Sequence, residues 1–187
     1  MLQRRAFLQG LLTPLALAAR AAAQAGVYLS ETEAPAAVFP RATAFERLVV
    51  PATPALRAKV QALLGATRPS LWEPEYVIFK AKRGERLLGY GVIVEEIGKH
   101  RPITFIVGVR PNGRVQDVAV MVYREPYGGE VRYGRFLAQY TGKSLRDALL
   151  PYRDIRNITG ATLSCYSIGR GVRKALALVQ VLFGKPP

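Results

Sequence analysis

The stretch YVIFKAKRGERLLGYGVIVEEIGKHRPITFIVGVRPNGRVQDVAVMVY, residues 76–123, decides the fold. It holds four runs rich in Val, Ile, Tyr and Phe, the residue types that favour extended backbone. Arg83-Gly84-Glu85 and Pro111-Asn112-Gly113 interrupt these runs, and an Asn-Gly pair between two such runs is a strong hairpin signal. We therefore predict a mostly antiparallel sheet with strands at 76–82, 86–97, 102–109 and 114–123.

Helical patterns flank the predicted sheet. Before it, Thr53 fits an N-cap and Pro54 the first position of a helix whose apolar face ends near Gly65. After it, 133–140 and 144–150 read as two further helices, and Pro151 ends the second.

A longer helix closes the chain. It is predicted to run from about Ser164, as its N-cap, to Phe183, with an apolar stripe on one face and Gly184 behind its end. The opposite side would carry Arg170, Arg173 and Lys174. Strands followed by helices predict an α+β fold, a mostly antiparallel sheet flanked by helices in a single domain.

The composition restricts the function. Half of the 187 residues are apolar, which is typical of a globular chain, and 27 Lys and Arg against 13 Asp and Glu give a net charge of +14. Such a charge favours acidic partners or anionic membrane surfaces, although a basic solvated surface explains it equally well. One Cys and one His exclude a disulfide framework and a His or Cys metal cluster within this chain, so we predict no metal site.

The N-terminus resembles an export signal. Residues 1–25 contain the pair Arg4-Arg5, an apolar run and the small-residue sequence Ala23-Gln24-Ala25, which fits a cleavage site. RRAFLQ is also similar to a twin-arginine signal. The alternative is an uncleaved N-terminal anchor. We predict a signal peptide at 1–25, an N-terminal segment with one helix at 26–75 and the domain core at 76–187, in a periplasmic or other extracytoplasmic location.

The stretch NITGATLSCYSIG, residues 157–169, is the strongest candidate site. It places small residues and hydroxyls at the start of the last helix, where free N–H groups and the helix dipole attract anions. Gly160 and Ala161 would let a ligand approach the backbone, while Thr159, Thr162 and Ser164 offer hydroxyls. The alternative is that these hydroxyls merely cap the helix.

A second glycine-rich stretch, YREPYGGEVRYG, covers residues 123–134. It is either a loop folded over a flat ligand or a plain connection between strand and helix. Cys165 is predicted to be a buried structural residue, and Glu95-Glu96 to lie at the surface. No pair of carboxylates and no Ser-His-Asp arrangement indicates acid–base or nucleophilic catalysis, so we predict no catalytic residue.

TGATLS, residues 159–164, resembles the flavinylation motif of FMN-binding domains. Such domains occur in the covalent-FMN subunit of sodium-pumping NADH:quinone oxidoreductase, in the corresponding subunit of Rnf electron-transport complexes and in small exported proteins. The resemblance extends over 37–50, over the strands, over the loop 125–129 and over 136–143. Two positions differ from the family pattern: Arg156 stands where the family has Asp, and Tyr123 where it often has His.

The resemblance implies an exported flavoprotein that carries electrons. Thr162 would hold FMN as a phosphoester made by an FAD-dependent FMN transferase, and a partner with an acidic face, together with a possible membrane surface, would dock on the protein. The phosphate end would be shaped by Thr159, Gly160, Ala161, Leu163 and Ser164, and the ring bordered by Tyr123, Glu125, Tyr127, Gly128 and Gly129. The alternatives are a reductase with non-covalent FMN and a flavin-free basic binding module. Export removes the chain from nucleic acid, so none is expected as a partner.

Overall fold

The protein forms a six-stranded antiparallel sheet with four helices, seen in a computed structural model that describes residues 26–184. The sheet order is β1-β6-β5-β4-β3-β2, and each neighbouring pair is antiparallel. The predicted α+β class is confirmed. The predicted signal peptide, 1–25, lies outside the described residues. The strands are β1 (Gly26–Val27), β2 (Ala44–Pro51), β3 (Glu75–Arg83), β4 (Arg86–Ile97), β5 (Pro102–Val109) and β6 (Val115–Tyr123).

All four predicted strands are present within one residue of their predicted bounds. The two predicted glycine turns form as expected. Gly84 and Gly113 adopt φ of +55° and +73°, a region that glycine enters without strain. The prediction missed β2, which pairs along its whole length with β3 at the sheet edge. Prolines near both ends concealed it, although an edge strand tolerates Pro51.

The helices are α1 (Ala34–Val38), α2 (Pro54–Leu64), α3 (Gly134–Leu137) and α4 (Thr162–Phe183). Helix α2 matches its prediction: the Thr53 hydroxyl accepts a hydrogen bond from the Leu56 N–H at 3.2 Å, and Gly65 follows with a φ of +59°. The predicted helix at 133–140 is only α3 followed by a short 3-10 turn at Ala138–Tyr140.

The helix predicted at 144–150 is wrong, because this segment is a series of turns. The Ser144 N–H and hydroxyl donate to Asp147 Oδ2 at 2.8 and 3.0 Å, and Leu149 adopts a φ of +56°. Leu149 is fully buried, and a Cβ added at Gly169 of α4 would overlap its carbonyl oxygen. Close packing on α4 therefore overrides the local helical preference.

The sheet packs helices on both faces. Helices α2 and α4 cover one face and bury the larger core, which includes Phe105, Ile168 and Val172. A smaller apolar cluster, centred on Val38 and Phe39, covers the other face near α1. No helix among residues 26–184 has the length and apolarity required to span a bilayer.

Helix α4 is tied to the sheet by buried charges. Lys174 is completely buried, and its ammonium lies 2.9 Å from Glu73 Oε1 and 3.1 Å from Glu96 Oε1. It also donates to the carbonyl oxygens of Leu71 and Glu95. The predictions that Glu96 lies at the surface and Lys174 on the polar side of its helix are wrong, because the segment around Glu73 covers that side of the helix.

Candidate functional site

The start of α4 differs from its prediction in one respect. The helix begins at Thr162 with Ala161 as its N-cap, and among residues 26–184 no side chain accepts a hydrogen bond from its first N–H groups. Ser164 lies inside the first turn and is buried, so its predicted role as N-cap is wrong. The free N–H groups and the positive end of the helix dipole therefore remain available to an anion.

The Thr162 hydroxyl is held by a neighbouring amide. The Asn157 side chain donates from Nδ2 to Thr162 Oγ1 at 2.8 Å and to the Tyr152 hydroxyl at 2.7 Å. Thr162 accepts this bond, so its own hydroxyl proton is free to be donated or lost. The Asn157 Oδ1 atom is buried and has no hydrogen-bond partner among the described residues. A buried polar atom without a partner is costly, and a donor on a ligand would remove that cost.

Two glycine-containing segments meet in front of the helix. Gly160 adopts a φ of +83° and is exposed, with open space where a side chain would stand. Gly128 adopts a φ of +80°, and a Cβ there would lie 3.1 Å from the Ala161 Cβ and 2.9 Å from the Tyr123 hydroxyl. Gly128 thus allows the loop 124–129 to pack directly against the helix start.

Tyr123 connects that loop with α4 from behind. Its hydroxyl donates to the Tyr127 carbonyl oxygen at 2.6 Å and lies 3.0 Å from Ser164 Oγ. Burial raises the pKa of Tyr123, an effect that the bond with Ser164 opposes and the nearby Glu125 reinforces. The phenol therefore stays neutral and connects the loop to α4 through its hydrogen bonds.

The Glu125 side chain points to the turn between β4 and β5. Its carboxylate accepts hydrogen bonds from the backbone N–H groups of His100 and Arg101 in the β4–β5 turn. Burial raises the pKa of Glu125, but the bonds from His100, Arg101 and Lys99 outweigh this, so the net pKa is lowered. The carboxylate thus fastens the glycine-rich loop to the neighbouring turn.

Two adjoining grooves of about 400 and 630 Å³ open beside Asn157 and share Gln139, Arg156 and Asn157. Arg135, Phe136 and Ile158 line the smaller groove, and Tyr152, Arg153 and Thr159 the larger. Sequence analysis missed Arg135, Gln139 and Arg153, which lie in segments that only the tertiary fold brings to the site. Asn157 lies within the stretch 157–169 that the sequence analysis selected. Its side-chain amide, five residues before Thr162, was a signal for a hydrogen bond to the Thr162 hydroxyl.

A third groove of about 330 Å³ lies across the loop from the first two and is lined by Tyr28, Tyr123, Arg132 and Tyr133 among others. The Arg132 guanidinium stacks 4.6 Å from the Tyr28 ring and 4.9 Å from the Tyr133 ring. Arginines therefore line the two grooves beside Asn157, whereas three tyrosines contribute to the third groove.

The predicted site residues separate into three groups. Tyr123, Gly128, Ala161 and Ser164 meet in one packed contact. Thr159, Gly160 and Thr162 lie at the helix start with exposed or half-exposed side chains, while Gly129 opens a 3-10 turn. Leu163 and Tyr127 project into solvent, with exposed fractions of 52% and 83%. The Glu125 carboxylate accepts hydrogen bonds from the β4–β5 turn.

Comparison with known proteins identifies this region. Residues 98–177, from the β4–β5 turn to the middle of α4, match the family described as FMN-binding domain. The match covers less than half of the chain, and over this range the chain is similar to that family. FMN is therefore the cofactor, and the matched range includes every predicted site residue.

A curated relative points in the same direction. The chain is 28% identical over 114 residues to a subunit of the proton-translocating ferredoxin:NAD(+) oxidoreductase complex of Clostridium ljungdahlii. The similarity covers 57% of this chain and 61% of the relative, so the chain spans less than two thirds of the relative's length.

The residues present fit an FMN phosphate. The uncapped start of α4 brings free N–H groups and the Thr162 hydroxyl to one position suited to a phosphate, and Arg156 lines both adjoining grooves beside Asn157. Asp154 does not replace the missing Asp at 156, because its carboxylate accepts from the Leu150 N–H at 3.0 Å and pairs with Lys143 at 3.0 Å.

Proposed function

We propose that this chain is an exported electron carrier whose FMN is esterified through its phosphate to Thr162. The observation that carries the proposal is the Thr162 hydroxyl at an uncapped helix start, held by Asn157 at 2.8 Å. When bound, FMN accepts or donates one or two electrons and so connects donors and acceptors of both kinds.

The residues of this chain bind the cofactor and orient it. The N–H groups at the start of α4 stabilise the phosphate charge, a helix-terminus effect of about 0.3–1 kcal/mol. Arg156, which lines both adjoining grooves, supplies a positive charge beside that position. Gly128 and Gly129 keep the loop against the helix start, while Tyr123 and Glu125 hold it from behind.

Attachment would be a phosphoryl transfer to Thr162. In this proposal the Thr162 oxygen bonds to the phosphorus of the FMN half of FAD, the diphosphate bond of FAD breaks, and AMP leaves. The hydroxyl proton passes to the FMN transferase that catalyses the step. The lone bond from Asn157 leaves that proton available, which supports Thr162 as the acceptor.

The partners we propose are redox proteins at or near a membrane. The Clostridium relative belongs to a proton-translocating oxidoreductase complex, which supports a place between an electron donor and an acceptor. The net charge of +14 suits a partner with an acidic face, and the sequence of residues 1–25 supports a periplasmic or other extracytoplasmic location.

A second candidate is a flavoprotein that binds FMN without a covalent bond. Arg156 at the family's Asp position favours it, because a transferase that reads this Asp would not act here. The same proposed phosphate position would then hold FMN by the helix start and Arg156 alone.

Heat denaturation in acid distinguishes the two candidates. We expect the purified, exported protein to be yellow and the flavin to remain with the precipitated chain after denaturation. Flavin released into the supernatant would refute the ester and establish the non-covalent candidate. A colourless protein from a host with the transferase would refute both.

A further inference from the structure

A large cleft lies at the end of the sheet remote from the flavin site. Its volume is about 790 Å³, and four arginines line it, one from the segment after α1, two from the β3–β4 turn and one from the end of β5. We call it the arginine cleft; these residues are Arg41, Arg83, Arg86 and Arg110. Within the described part of the chain, residues 26–184, no Asp or Glu lines the cleft.

The floor of the arginine cleft is built by close backbone packing. Phe39 lies over two glycines, and a Cβ at Gly89 would overlap its ring, while one at Gly108 would stand 3.2 Å from it. Leu87 and Leu88 also line the cleft, Leu87 packed against the larger core and Leu88 against the smaller apolar cluster. Because neither glycine has a side chain, the Phe39 ring can lie directly against the backbone of both strands.

The guanidinium groups are free to bind a ligand. Arg110 donates from Nε to Gln116 Oε1 at 2.6 Å, which orients its two terminal nitrogens. Arg41, Arg83 and Arg86 are exposed, and within residues 26–184 none of the four forms a salt bridge. Four neighbouring positive charges without acidic partners repel one another, and a bound anion would relieve this repulsion.

The cleft is separate from the flavin site. Strand β5 has eight residues and spans roughly 26 Å, with Ile103 next to Tyr123 at one end and Arg110 just beyond the other. A ligand in the cleft therefore does not contact Thr162, and its binding does not depend on whether flavin is esterified there.

We propose that the arginine cleft binds a ligand that carries two phosphoryl groups or a comparable cluster of phosphate oxygens. A phosphate monoester carries about −1.5 to −2 charges at pH 7 and offers three acceptor oxygens, so two of them balance four guanidinium groups. Arginine forks bind such oxygens in pairs. An acidic peptide would have to bring four carboxylates into the same concave space.

Two sources supply clustered phosphate oxygens, a soluble diphosphate and several neighbouring headgroups of an anionic phospholipid, each of which carries one singly charged phosphodiester. The probes are inorganic pyrophosphate, vesicles of phosphatidylglycerol with phosphatidylcholine, and a glutamate-rich peptide. Each is titrated into the exported protein by calorimetry at physiological ionic strength. The matched variants are Arg41→Gln/Arg86→Gln in the cleft and Lys59→Gln/Arg68→Gln on exposed positions outside it, with the same loss of charge.

We expect pyrophosphate to bind the wild-type protein, the cleft variant to weaken it by about tenfold or more, and the control variant to weaken it less than about twofold. If vesicle binding is also weakened by the cleft variant and not by the control variant, the phosphate belongs to a lipid. If pyrophosphate binds and the vesicles do not, the phosphate belongs to a soluble ligand. Equal weakening by both variants, or no binding, overturns the proposal. So does a peptide that binds through the cleft more tightly than pyrophosphate.

Discussion

At the scale of single residues, the candidate site depends on a few backbone positions that only certain side chains can occupy. Thr162 is the first residue of α4, and Gly160 and Gly128 hold left-handed conformations on either side of Ala161. The hydroxyl is presented by the chain reversal before it, because Asn157 reaches forward across that reversal to Thr162. The geometry of the reversal is therefore part of the site.

Gly160→Ala tests that geometry. Nothing lies within 4 Å of the added Cβ, so its φ of +83° alone opposes the substitution. We expect the free energy of unfolding to fall by about 1–2 kcal/mol, the usual cost of a left-handed L-residue. Gly134→Ala is the matched control, since it also meets open space but has no positive φ and begins a helix. Urea denaturation of both variants checks the prediction, and equal changes would contradict it.

The lowered pKa of Glu125 predicts that the stability of the fold depends on pH. Its pKa is lowered in the folded protein from the ordinary value of 4.5, so the folded state favours the carboxylate. The stabilisation is present above about pH 4.5 and is lost as the pH falls through the lower, folded pKa. We expect Glu125→Gln to be less stable than wild type at pH 7, with the difference shrinking toward pH 3. Denaturant unfolding at each pH measures this, with exposed Glu85→Gln as the control; a difference that does not change with pH would disprove it.

At the scale of elements, α4 is both the core helix and the support of the site. Its apolar residues pack on the sheet, its N-terminus carries Thr162, and at its far end Phe183 stacks on Tyr90 with ring centres 4.2 Å apart. The buried Lys174 bonds it to the segment around Glu73 and to β4. The helix start is therefore fixed relative to the loop 124–129, which is anchored on the same sheet.

Lys174→Ala tests this anchorage. The substitution leaves the Glu73 and Glu96 carboxylates buried beside a cavity, with Arg170 Nε as the remaining charged contact of Glu96 at 3.3 Å. Removing one partner of a buried ion pair costs about 3–5 kcal/mol, and we expect a loss of unfolding free energy of that size. The exposed Lys59→Ala on α2 should change it by less than about 0.5 kcal/mol. Comparable losses in the two variants would show that Lys174 does not anchor the helix.

Local patterns predicted most elements, and tertiary packing explains the exceptions. Runs rich in Val, Ile, Tyr and Phe between glycine turns located β3 to β6, and the resemblance of TGATLS to a flavinylation motif drew attention to Thr162, which lies at a helix start. The segment 144–150 failed as a helix because Leu149 packs into α4 at Gly169, a contact with no local signature. Lys174 was placed on the polar side of its helix because amphipathic periodicity assumes that one side faces water, whereas here the 71–73 segment covers it.

At the scale of the whole molecule, the ends of the sheet carry different chemistry. The end near Tyr123 holds the proposed flavin site, and the end near Arg110 holds the arginine cleft. The sequence predicted a basic protein but not this division, because the four arginines of the cleft come from three separate segments. In our account the overall charge attracts acidic partners, and the arrangement of the two ends determines what can bind at each.

Export is a prediction about the whole chain. We expect Arg4→Lys together with Arg5→Lys to leave unprocessed precursor in the cytoplasm, because the substitution keeps the charge but removes the guanidinium pair of a twin-arginine signal. Cell fractionation followed by immunoblotting measures it, and a Gln3→Ala variant serves as the control. Normal export of the double variant would exclude the twin-arginine route while leaving a signal peptide of another type.

The intact mass of the exported protein tests the central proposal most directly. In a host with the FMN transferase, we expect wild type and Thr159→Ala to carry the mass of one FMN less one water. Thr162→Ala should carry none, because it lacks the oxygen of the ester, and Thr162→Ser should retain part of it. A wild-type mass equal to the bare processed chain, or an adduct that persists in Thr162→Ala, would contradict the account.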